Sequence, residues 1–446
     1  MCMCGYICVC IYEENVSIKS TLKHFKSYGV GEMGLVCFLA SFLLLAASSF
    51  ARHQESEQGL SHSTLHLSLY NVQRHDSHRS GHLFGTDSID TPLKAATRNK
   101  EGNYYININL GTPPKPYAVM VDTGSSFSWV QCQPKPYPSA SPTFKKLPCS
   151  KPECSLRGEA TPVDPKCTDP RECKYNASYV DTSFSFGYLC RDLLTLTQSD
   201  KLPGFVFGCG QGSHEFTFTS EFAGIVGMAR DNLSMISQLS AKYGHDFSYC
   251  LPTVQGRSVG LLSIGKDSLT RSSYKFTPML NISKGNRGSS LYGLSLTAIV
   301  VARKPLGVAE AEYKRSTIID SGTMVTRLPT SVYKVLRDEF RSIMSKHKLI
   351  RTNPTSEYLR TCYKGSLKQM SSYVPEVRMV FQGGVELTLA PQNILVEGDE
   401  GTMCLAFADY SDTDEIAIIG NIQLQTYSVA YDVSNSRIGF AAGVCT

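Results

Sequence analysis

Tyr117–Val130, with the sequence YAVMVDTGSSFSWV, is the stretch that decides the fold. Its valine-rich apolar run predicts a buried strand, which delivers Asp122 directly into a Thr-Gly-Ser-Ser turn. A second copy, STIIDSGT at 316–323, again ends an apolar run in Asp, a hydroxyl residue, Gly and a hydroxyl residue. Its aspartate, Asp320, lies 198 positions after Asp122.

Each copy has a later companion, a small apolar segment that ends in glycine. The companions are Ala223–Gly227 and Ile416–Gly420, and their final glycines are 193 positions apart. Because both elements repeat with nearly the same period, the sequence indicates an internal duplication with two similar halves that meet. If the halves face each other, Asp122 and Asp320 face each other too.

Six ordered motifs resemble those of a known family. They are Asp122–Ser126 with Trp129–Val130, Tyr179–Ser183, Phe207–Gly210, Phe247–Leu251, Asp320–Thr323 with Arg327–Pro329, and Met403–Phe407. From about Tyr104 to the C-terminus the chain resembles the pepsin-like aspartic proteases, and more closely their plant nepenthesin-type branch. The resemblance implies a mainly β, bilobal pepsin-like fold, with two pseudo-symmetric β lobes and a few short helices.

The resemblance also implies an activity. It is that of an aspartic endopeptidase, which hydrolyses polypeptide substrates at acidic pH through a dyad of Asp122 and Asp320 and an activated water, with no metal and no cofactor. Two carboxylates about 3 Å apart cannot easily both ionise, so the pKa of one falls and that of the other rises. The dyad of aspartic proteases is the standard example of this effect, and the pair titrates as a unit.

Further roles around the dyad are carried over from the family, residue by residue. The hydroxyls of Thr123 and Ser321 would cross-link the two loops. Ser125 and Thr323 would orient the outer carboxylate oxygens. Gly124 and Gly322 would allow tight backbone turns. Tyr179 would lie in the flap over the cleft, line the substrate and bond to Trp129. Family members usually have glycine where this chain has Val180, which puts the geometry of the flap tip in question.

Two functions of other classes remain open. A catalytically silent binding or inhibitor protein on the same scaffold would typically lose an active-site aspartate or its neighbours, whereas this chain keeps both triplets and Tyr179. A glycoside hydrolase also uses paired carboxylates. However, glycosidases do not require matched halves, so the duplicated loops favour the protease.

Composition is that of an ordinary globular protein, with 42% hydrophobic and 19% charged residues in a chain of 446. The net charge of +5 comes without long basic runs or base-stacking motifs, so we expect no nucleic-acid partner. We expect a monomer.

Sixteen cysteines indicate an oxidising compartment. Five precede the predicted mature start, and the eleven from Cys132 to Cys445 are an odd number, so at least one thiol is unpaired or bonded elsewhere. A bridge between Cys362 and Cys404 fits the family, and Cys250 with Cys445 is a similar proposal. We also expect Cys190, which stands where the family has no cysteine, to take up a partner.

The first 97 residues divide into a leader, 1–51, and a propeptide, 52–97. The apolar run 34–50 is too short for a comfortable membrane span and is followed by small residues, as a secretory signal requires. Translation from Met33 would explain the residues ahead of it; the rivals are a metal site of the leader cysteines or an organelle address. We expect no membrane anchor, and a location in the apoplast or vacuole rather than the plastid.

The mature part divides into an N-terminal lobe, 98–275, and a C-terminal lobe, 276–446. A short helix is predicted from Asn232 to Gly244, and a second follows Thr330. The core-facing residues of the second helix are predicted to be Val332, Val335, Leu336, Phe340 and Ile343. Glycosylation sequons begin at Asn281, the first choice, and at Asn176 and Asn232.

Overall fold

A computed structural model describes most of the chain after residue 87. The described residues are 88–95, 102–133, 141–160, 167, 169–179, 183–214, 222–254, 259–270, 273–282, 290–353, 359–398, 401–409 and 416–443. All of them belong to one compact unit, Leu83–Thr446. The predicted leader and the propeptide up to residue 87 lie outside the described residues, so those assignments stay predictions.

β-Strands dominate the described residues, as the sequence predicts. The strands are β1 Ser88–Ala95, β2 Tyr104–Leu110, β3 Lys115–Asp122, β4 Trp129–Gln131, β5 Lys145–Lys146, β6 Lys174–Ser178, β7 Phe184–Thr195, β8 Lys201–His214, β9 Gly224–Gly227, β10 Phe247–Cys250, β11 Gly260–Gly265, β12 Lys275–Pro278, β13 Gly293–Leu294, β14 Leu296–Val301, β15 Lys304–Pro305, β16 Ser316–Ile319, β17 Thr326–Leu328, β18 Arg351–Thr352, β19 Cys362–Lys364, β20 Val377–Phe381, β21 Val385–Leu389, β22 Leu395–Glu397, β23 Thr402–Leu405, β24 Phe407–Asp409, β25 Ile416–Ile419, β26 Tyr427–Asp432 and β27 Arg437–Ala442.

Helices in the described residues are short, with one exception. They are α1 Pro152–Ala160, α2 Met235–Tyr243, α3 Glu310–Tyr313, α4 Thr330–Ser345, α5 Leu367–Met370, α6 Pro391–Ile394 and α7 Asn421–Leu424. The hydroxyl of Ser234 accepts a hydrogen bond from Ser237 N at the start of α2, and Gly244 ends it at φ 75°. The helix thus starts three residues later than predicted.

The long helix α4 packs one face into the core. Val332, Leu336 and Phe340 are fully buried, as predicted, whereas Val335 and Ile343 are only partly buried. Tyr333 and Met344 complete the buried face and were not predicted. No helix in the part of the chain that the structure describes is long and apolar enough to cross a membrane.

The duplication inferred from the sequence is present in the sheet topology. In the first half, β3 pairs in parallel with β9, β9 antiparallel with β4, and β4 in parallel with β8. In the second half, β16, β25, β17 and β24 repeat the same three pairings in the same order. Asp122 and Asp320 therefore occupy equivalent ends of equivalent strands.

A central layer joins the two halves. The order β12-β27-β26-β10-β11-β1 places strands from the end of the chain beside strands from its first half. Because this layer is shared, the described residues form one contact unit, and the predicted lobe boundary near residue 275 stays a prediction. Strand β2 pairs with β1 of this layer and with β3 of the first half. Its buried residues alternate strictly along the strand: Tyr104, Ile106, Ile108 and Leu110.

Four disulfides link described cysteines: Cys132–Cys209, Cys149–Cys167, Cys154–Cys173 and Cys362–Cys404. Cys362 and Cys404 lie directly opposite each other in the β19–β23 ladder, with 4.0 Å between their Cα atoms. Cys250 is also disulfide-bonded, and its proposed partner, Cys445, lies outside the described residues.

The expectation that Cys190 takes up a partner is wrong. Cys190 is a buried free thiol in β7, opposite Phe207, whose carbonyl oxygen accepts a hydrogen bond from its Sγ at 3.3 Å. Cys132 pairs with Cys209. The thiol of Cys190 points into the core as a small apolar side chain, and burial raises its pKa.

Candidate active site

The first aspartate loop holds its carboxylate by both oxygens. Asp122 ends β3 opposite Gly227, the last residue of β9. The backbone N of Gly124 donates to Asp122 Oδ1 at 2.8 Å, and the hydroxyl of Ser125 donates to Oδ2. A tight turn after the strand therefore fixes the orientation of the carboxyl group.

The second loop repeats these contacts. Gly322 N donates to Asp320 Oδ1 at 2.9 Å, and the Thr323 hydroxyl donates to Oδ2 at 2.7 Å. Behind this loop, the buried side chain of Asn421 donates to the carbonyl oxygen of Ser321 at 3.0 Å. The sequence analysis did not single out Asn421, although it directly follows the predicted Ile416–Gly420 segment.

Reciprocal hydrogen bonds cross-link the two loops. Thr123 N donates to Ser321 Oγ at 3.1 Å, and Ser321 N donates to Thr123 Oγ1 at 2.9 Å. The Ser321 hydroxyl in turn donates to the carbonyl oxygen of Val121 at 2.8 Å. Buried hydrogen bonds of this kind fix the relative position of the two strand ends.

The two carboxyl groups meet at the centre of this arrangement. Both aspartates are only 8% exposed, and each carboxyl group lies against the turn glycine of the opposite loop. A methyl group on Gly322 would lie 2.6 Å from Asp122 Cγ, and one on Gly124 would lie 2.8 Å from Asp320 Cγ. Glycine is therefore required at both positions for the carboxyl groups to approach each other.

This environment changes the acidity of Asp122. Burial, followed by the charge of the Asp320 carboxylate, raises the pKa of Asp122 well above its ordinary value. The hydrogen bonds from Ser125 and Gly124 oppose the shift. A proton is thus retained between two carboxyl groups at a pH where isolated ones would have lost theirs.

The flap candidate lies beside the first loop. Trp129 is fully buried and donates from Nε1 to the hydroxyl of Tyr179 at 2.6 Å. Tyr179 follows β6, which forms a hairpin with β7 whose last pair is Ser178 opposite Phe184. The tip, 180–182, lies outside the described residues, so the question raised by Val180 stays open.

Comparison with known proteins agrees with this geometry. The chain is 36% identical over 378 residues to an aspartyl protease family protein of Arabidopsis thaliana, covering 82% of this chain and 77% of that protein. It is 31% identical to aspartic proteinase nepenthesin-2 of Nepenthes gracilis, covering 81% of this chain and 82% of that one. The chain belongs to the plant pepsin-like aspartic protease family.

Family models described as xylanase inhibitor N-terminal and xylanase inhibitor C-terminal match residues 104–266 and 291–442 of this family member. Its fold is similar to that of two solved structures. The crystal structure titled edgp superimposes with a TM-score of 0.65 at 21% identity, covering 80% of this chain and 95% of that one. Basic 7S globulin from soybean gives 0.63 at 19% identity, covering 80% and 98%. The predicted mainly β pepsin-like fold is confirmed.

Two tyrosines near the two aspartates of this aspartic protease family member were not predicted as site residues. The hydroxyls of Tyr249 and Tyr431 lie 2.9 Å apart in the central layer, and Tyr431 is also in polar contact with Thr123. The ring of Tyr431 stacks on Phe247 with 4.3 Å between centroids. Tyr249 belongs to the Phe247–Leu251 motif noted in the sequence, but no local pattern indicates its contact with Tyr431.

One cluster of possible metal ligands occurs in the described residues. The sulfur atoms of Cys149, Cys154 and Cys167 lie within 4.8 Å of one another. All three are oxidised in the disulfides Cys149–Cys167 and Cys154–Cys173, and a disulfide offers no thiolate to a metal. Nothing in this cluster bears on the aspartates.

The sequence contains one match to the Gly-x-Ser-x-Gly motif of serine hydrolases, but its structural context does not fit that assignment. The pentapeptide GRSVG at 256–260 matches Gly-x-Ser-x-Gly, and its serine lies outside the described residues. It connects β10 to β11, which pair as an antiparallel hairpin. A nucleophile elbow lies between a strand and a helix, whereas the described elements on both sides of this connection are strands.

The three sequon asparagines differ in accessibility. Asn281 is exposed, and its Oδ1 accepts a hydrogen bond from the guanidinium of Arg230 at 3.2 Å. Asn232 is also exposed, whereas Asn176 is half-buried within β6. Glycosylation at these positions stays a prediction, with Asn281 still the first choice.

Proposed function

We propose that this protein is an acid-active aspartic endopeptidase in which Asp122 and Asp320 form the catalytic dyad. Membership of the plant aspartic protease family supports peptide hydrolysis at the level of the family. The assignment of the two aspartates, of Tyr179 and of the lobe boundaries is our own.

One observation carries the proposal: two buried carboxyl groups, each packed against the turn glycine of the opposite loop, at the ends of equivalent strands. Neither loop contributes a basic side chain that could neutralise the carboxyls. A pair that shares one proton offers both a base and an acid, which is what hydrolysis by water requires.

The proposed reaction uses one water molecule between the two carboxyl groups. The ionised carboxyl takes a proton from the water, whose oxygen attacks the carbon of the peptide bond. The protonated carboxyl donates its proton to the carbonyl oxygen, giving a neutral tetrahedral diol. Transfer of the first proton to the nitrogen then lets the carbon–nitrogen bond break, while one hydroxyl of the diol returns its proton to the second carboxyl as the new carboxylic acid forms. The pair is restored with one shared proton, and no covalent enzyme intermediate forms.

The surroundings of the dyad would hold the substrate and limit water. Tyr179, anchored by Trp129, is proposed to close over the polypeptide as part of the flap. Ser125 and Thr323 hold the outer oxygens of the carboxyls, which leaves the inner oxygens to contact the water. Holding the reacting groups in fixed positions lowers the entropic part of the barrier.

The matching family models are described as xylanase inhibitor, which makes protein binding a second candidate function. In that case the same scaffold would bind another protein without hydrolysing it. Retention of both aspartates together with every hydroxyl and glycine neighbour favours catalysis.

The proposal is tested by incubating the purified protein at about pH 4, where the shared proton is retained, with a denatured polypeptide. Cleavage is expected, and pepstatin should abolish it. Asp122→Asn should remove cleavage while preserving the thermal unfolding transition. Asp267→Asn, which changes an exposed carboxyl far along the chain, serves as the matched control.

Two results would overturn the assignment. One is a folded protein with no cleavage anywhere in the acidic range, which would support the binding function instead. The other is cleavage that survives both pepstatin and Asp122→Asn, because the reaction would then be carried by other groups.

A further inference from the structure

Positive charge is concentrated in one segment of the chain. Residues 334–368 contain nine of the 44 Lys and Arg but only three of the 39 Asp and Glu, a net charge of +6. The other 411 residues have a net charge of −1. The mild charge of the whole protein therefore conceals one strongly basic region.

The fold brings four arginines of this segment together: Arg337 and Arg341 on α4, Arg351 on β18 and Arg360 before β19. We refer to these four as the arginine cluster. The guanidinium of Arg341 donates to Thr361 Oγ1 at 2.7 Å and to the carbonyl oxygen of Arg360 at 3.2 Å. These bonds tie the helix to the strand and keep the cluster in place.

The carboxylates near the cluster do not balance it. Arg337 pairs with Asp338 at 2.8 Å, and Arg360 pairs with Asp409 at 3.1 Å. The Nη1 atom of Arg341 lies 4.0 Å from the same Asp338. Two carboxylates thus face four guanidinium groups within the described residues.

The remaining positive charges repel each other. Burial, followed by the charges of Arg337 and Arg351, lowers the pKa of Arg341. Exposed ion pairs such as Arg337–Asp338 contribute little stability, so they are easily exchanged for another anion. An external anion placed over the cluster would relieve the repulsion.

The shape of the basic surface fits an extended ligand. Lys334, Lys346 and Lys348 are exposed around the cluster at the two ends of α4. At a rise of about 1.5 Å per residue, Lys334 and Lys346 are about 18 Å apart along the helix. Charges spread over this length match a polymer with repeated anionic groups better than a single small ion.

Three further features argue against a nucleic acid or a membrane as the anionic ligand. The disulfides place the folded chain in an oxidising compartment, away from the cytosol and nucleus where nucleic acids are found. The ring of Tyr373 is stacked on His347, with centroids 4.6 Å apart, so it is not free to stack on bases. Among the described residues 334–368, Ile350 is the one large apolar side chain that is strongly exposed, which is too little for insertion into a membrane.

We infer that the arginine cluster and its flanking lysines bind an acidic polysaccharide of the polyuronate type. Guanidinium groups pair bidentately with carboxylates, and a uronate polymer presents one carboxylate on each sugar. Such binding would hold this protein at an acidic matrix without involving the aspartate loops. It does not depend on the proposed peptidase activity.

The experiment measures binding of sodium polygalacturonate to the full protein at low ionic strength and near-neutral pH, over a series of salt concentrations. The variant Lys334→Gln/Arg337→Gln/Arg351→Gln removes three charges of the surface and spares Arg341. We expect its affinity to fall by about tenfold or more, with a shallower dependence on salt.

The matched control is Lys266→Gln/Lys275→Gln/Lys304→Gln, which removes three exposed charges elsewhere. It should bind as the unmodified protein does. Fully methyl-esterified polygalacturonate, which has no charge, should not bind to either.

Three outcomes would overturn the inference. They are no binding of polygalacturonate at low salt, equal loss of affinity in the two triple variants, and tighter binding of duplex DNA or anionic phospholipid vesicles than of polygalacturonate. Hydrolysis of a soluble peptide by the Lys334/Arg337/Arg351 variant should be unchanged, which separates this result from any failure of the proposed catalysis.

Discussion

The two aspartate loops are nearly identical within themselves and differ in what surrounds them. In both, a glycine N and a hydroxyl side chain hold the carboxyl oxygens. The first loop lies beside the Trp129–Tyr179 pair, and its Thr123 is in polar contact with Tyr431 of the central layer. The duplicated sequence thus sets a symmetric centre, and unduplicated elements make its environment asymmetric.

The sharpest test of this symmetry is to compare the two aspartates. Asp320→Asn is expected to reduce peptide hydrolysis as strongly as Asp122→Asn, by roughly 10⁴-fold, because each removes half of one acid–base pair. The rates should be measured on one peptide under steady-state conditions. If one variant keeps substantial turnover, the two carboxyl groups do not act as a unit.

The glycines test how closely the carboxyl groups must approach. Gly322→Ala should reduce both activity and stability, the latter by about 1–3 kcal/mol, because the added methyl overlaps the Asp122 carboxyl. Gly124→Ala should cost slightly less, since its methyl would lie farther from the opposite Cγ.

Gly307→Ala is the control for both glycine variants, because a methyl there meets nothing within 4 Å. Chemical denaturation and steady-state kinetics provide the measurements. Wild-type behaviour of Gly322→Ala would mean that the loops are farther apart than described.

The raised pKa of Asp122 predicts a pH-dependent stability. The folded state holds a proton that the unfolded state, with an ordinary pKa of 3.8, has released. The stabilising contribution is therefore complete below about pH 4 and is lost as the pH rises through the folded-state pKa. It amounts to about 1.4 kcal/mol for each unit of pKa shift.

Asp122→Asn removes this titration. Its melting temperature should match that of the unmodified protein at low pH and exceed it increasingly towards neutral pH. Thermal melts at several pH values measure the difference. A difference that stays constant with pH would contradict the raised pKa.

The smallest expected effect comes from the asymmetric contact. Tyr431→Phe removes the hydrogen bond to Tyr249 and the polar contact with Thr123, and should destabilise the protein by about 0.5–1.5 kcal/mol. Tyr249→Phe breaks only the bond between the tyrosines and should cost less. If Tyr431 positions the first loop, Tyr431→Phe should also shift the pH profile of hydrolysis, whereas Tyr249→Phe should leave it nearly unchanged.

Much of the candidate site is visible in the sequence because it is built from short motifs. The strand before each aspartate, the turn glycines and the hydroxyl neighbours all lie within eight residues, and the repeat itself indicates that the copies are equivalent. Local alternation likewise gives strands such as Tyr104–Leu110, and helical spacing gives most of the buried face of Thr330–Ser345. In these segments the periodicity of the backbone and the burial of apolar side chains agree.

What the sequence determined by itself is therefore the duplicated pair of acidic loops and the mainly β class. The tertiary structure alone decided that Cys190 has no disulfide partner, that Tyr249 meets Tyr431, and that arginines from a helix, a strand and the segment before another strand form one cluster. Each of these depends on which side chains from distant strands share one side of a layer. That information lies in how strands pair across the whole fold, since contacts between residues far apart in the chain leave no local periodic pattern.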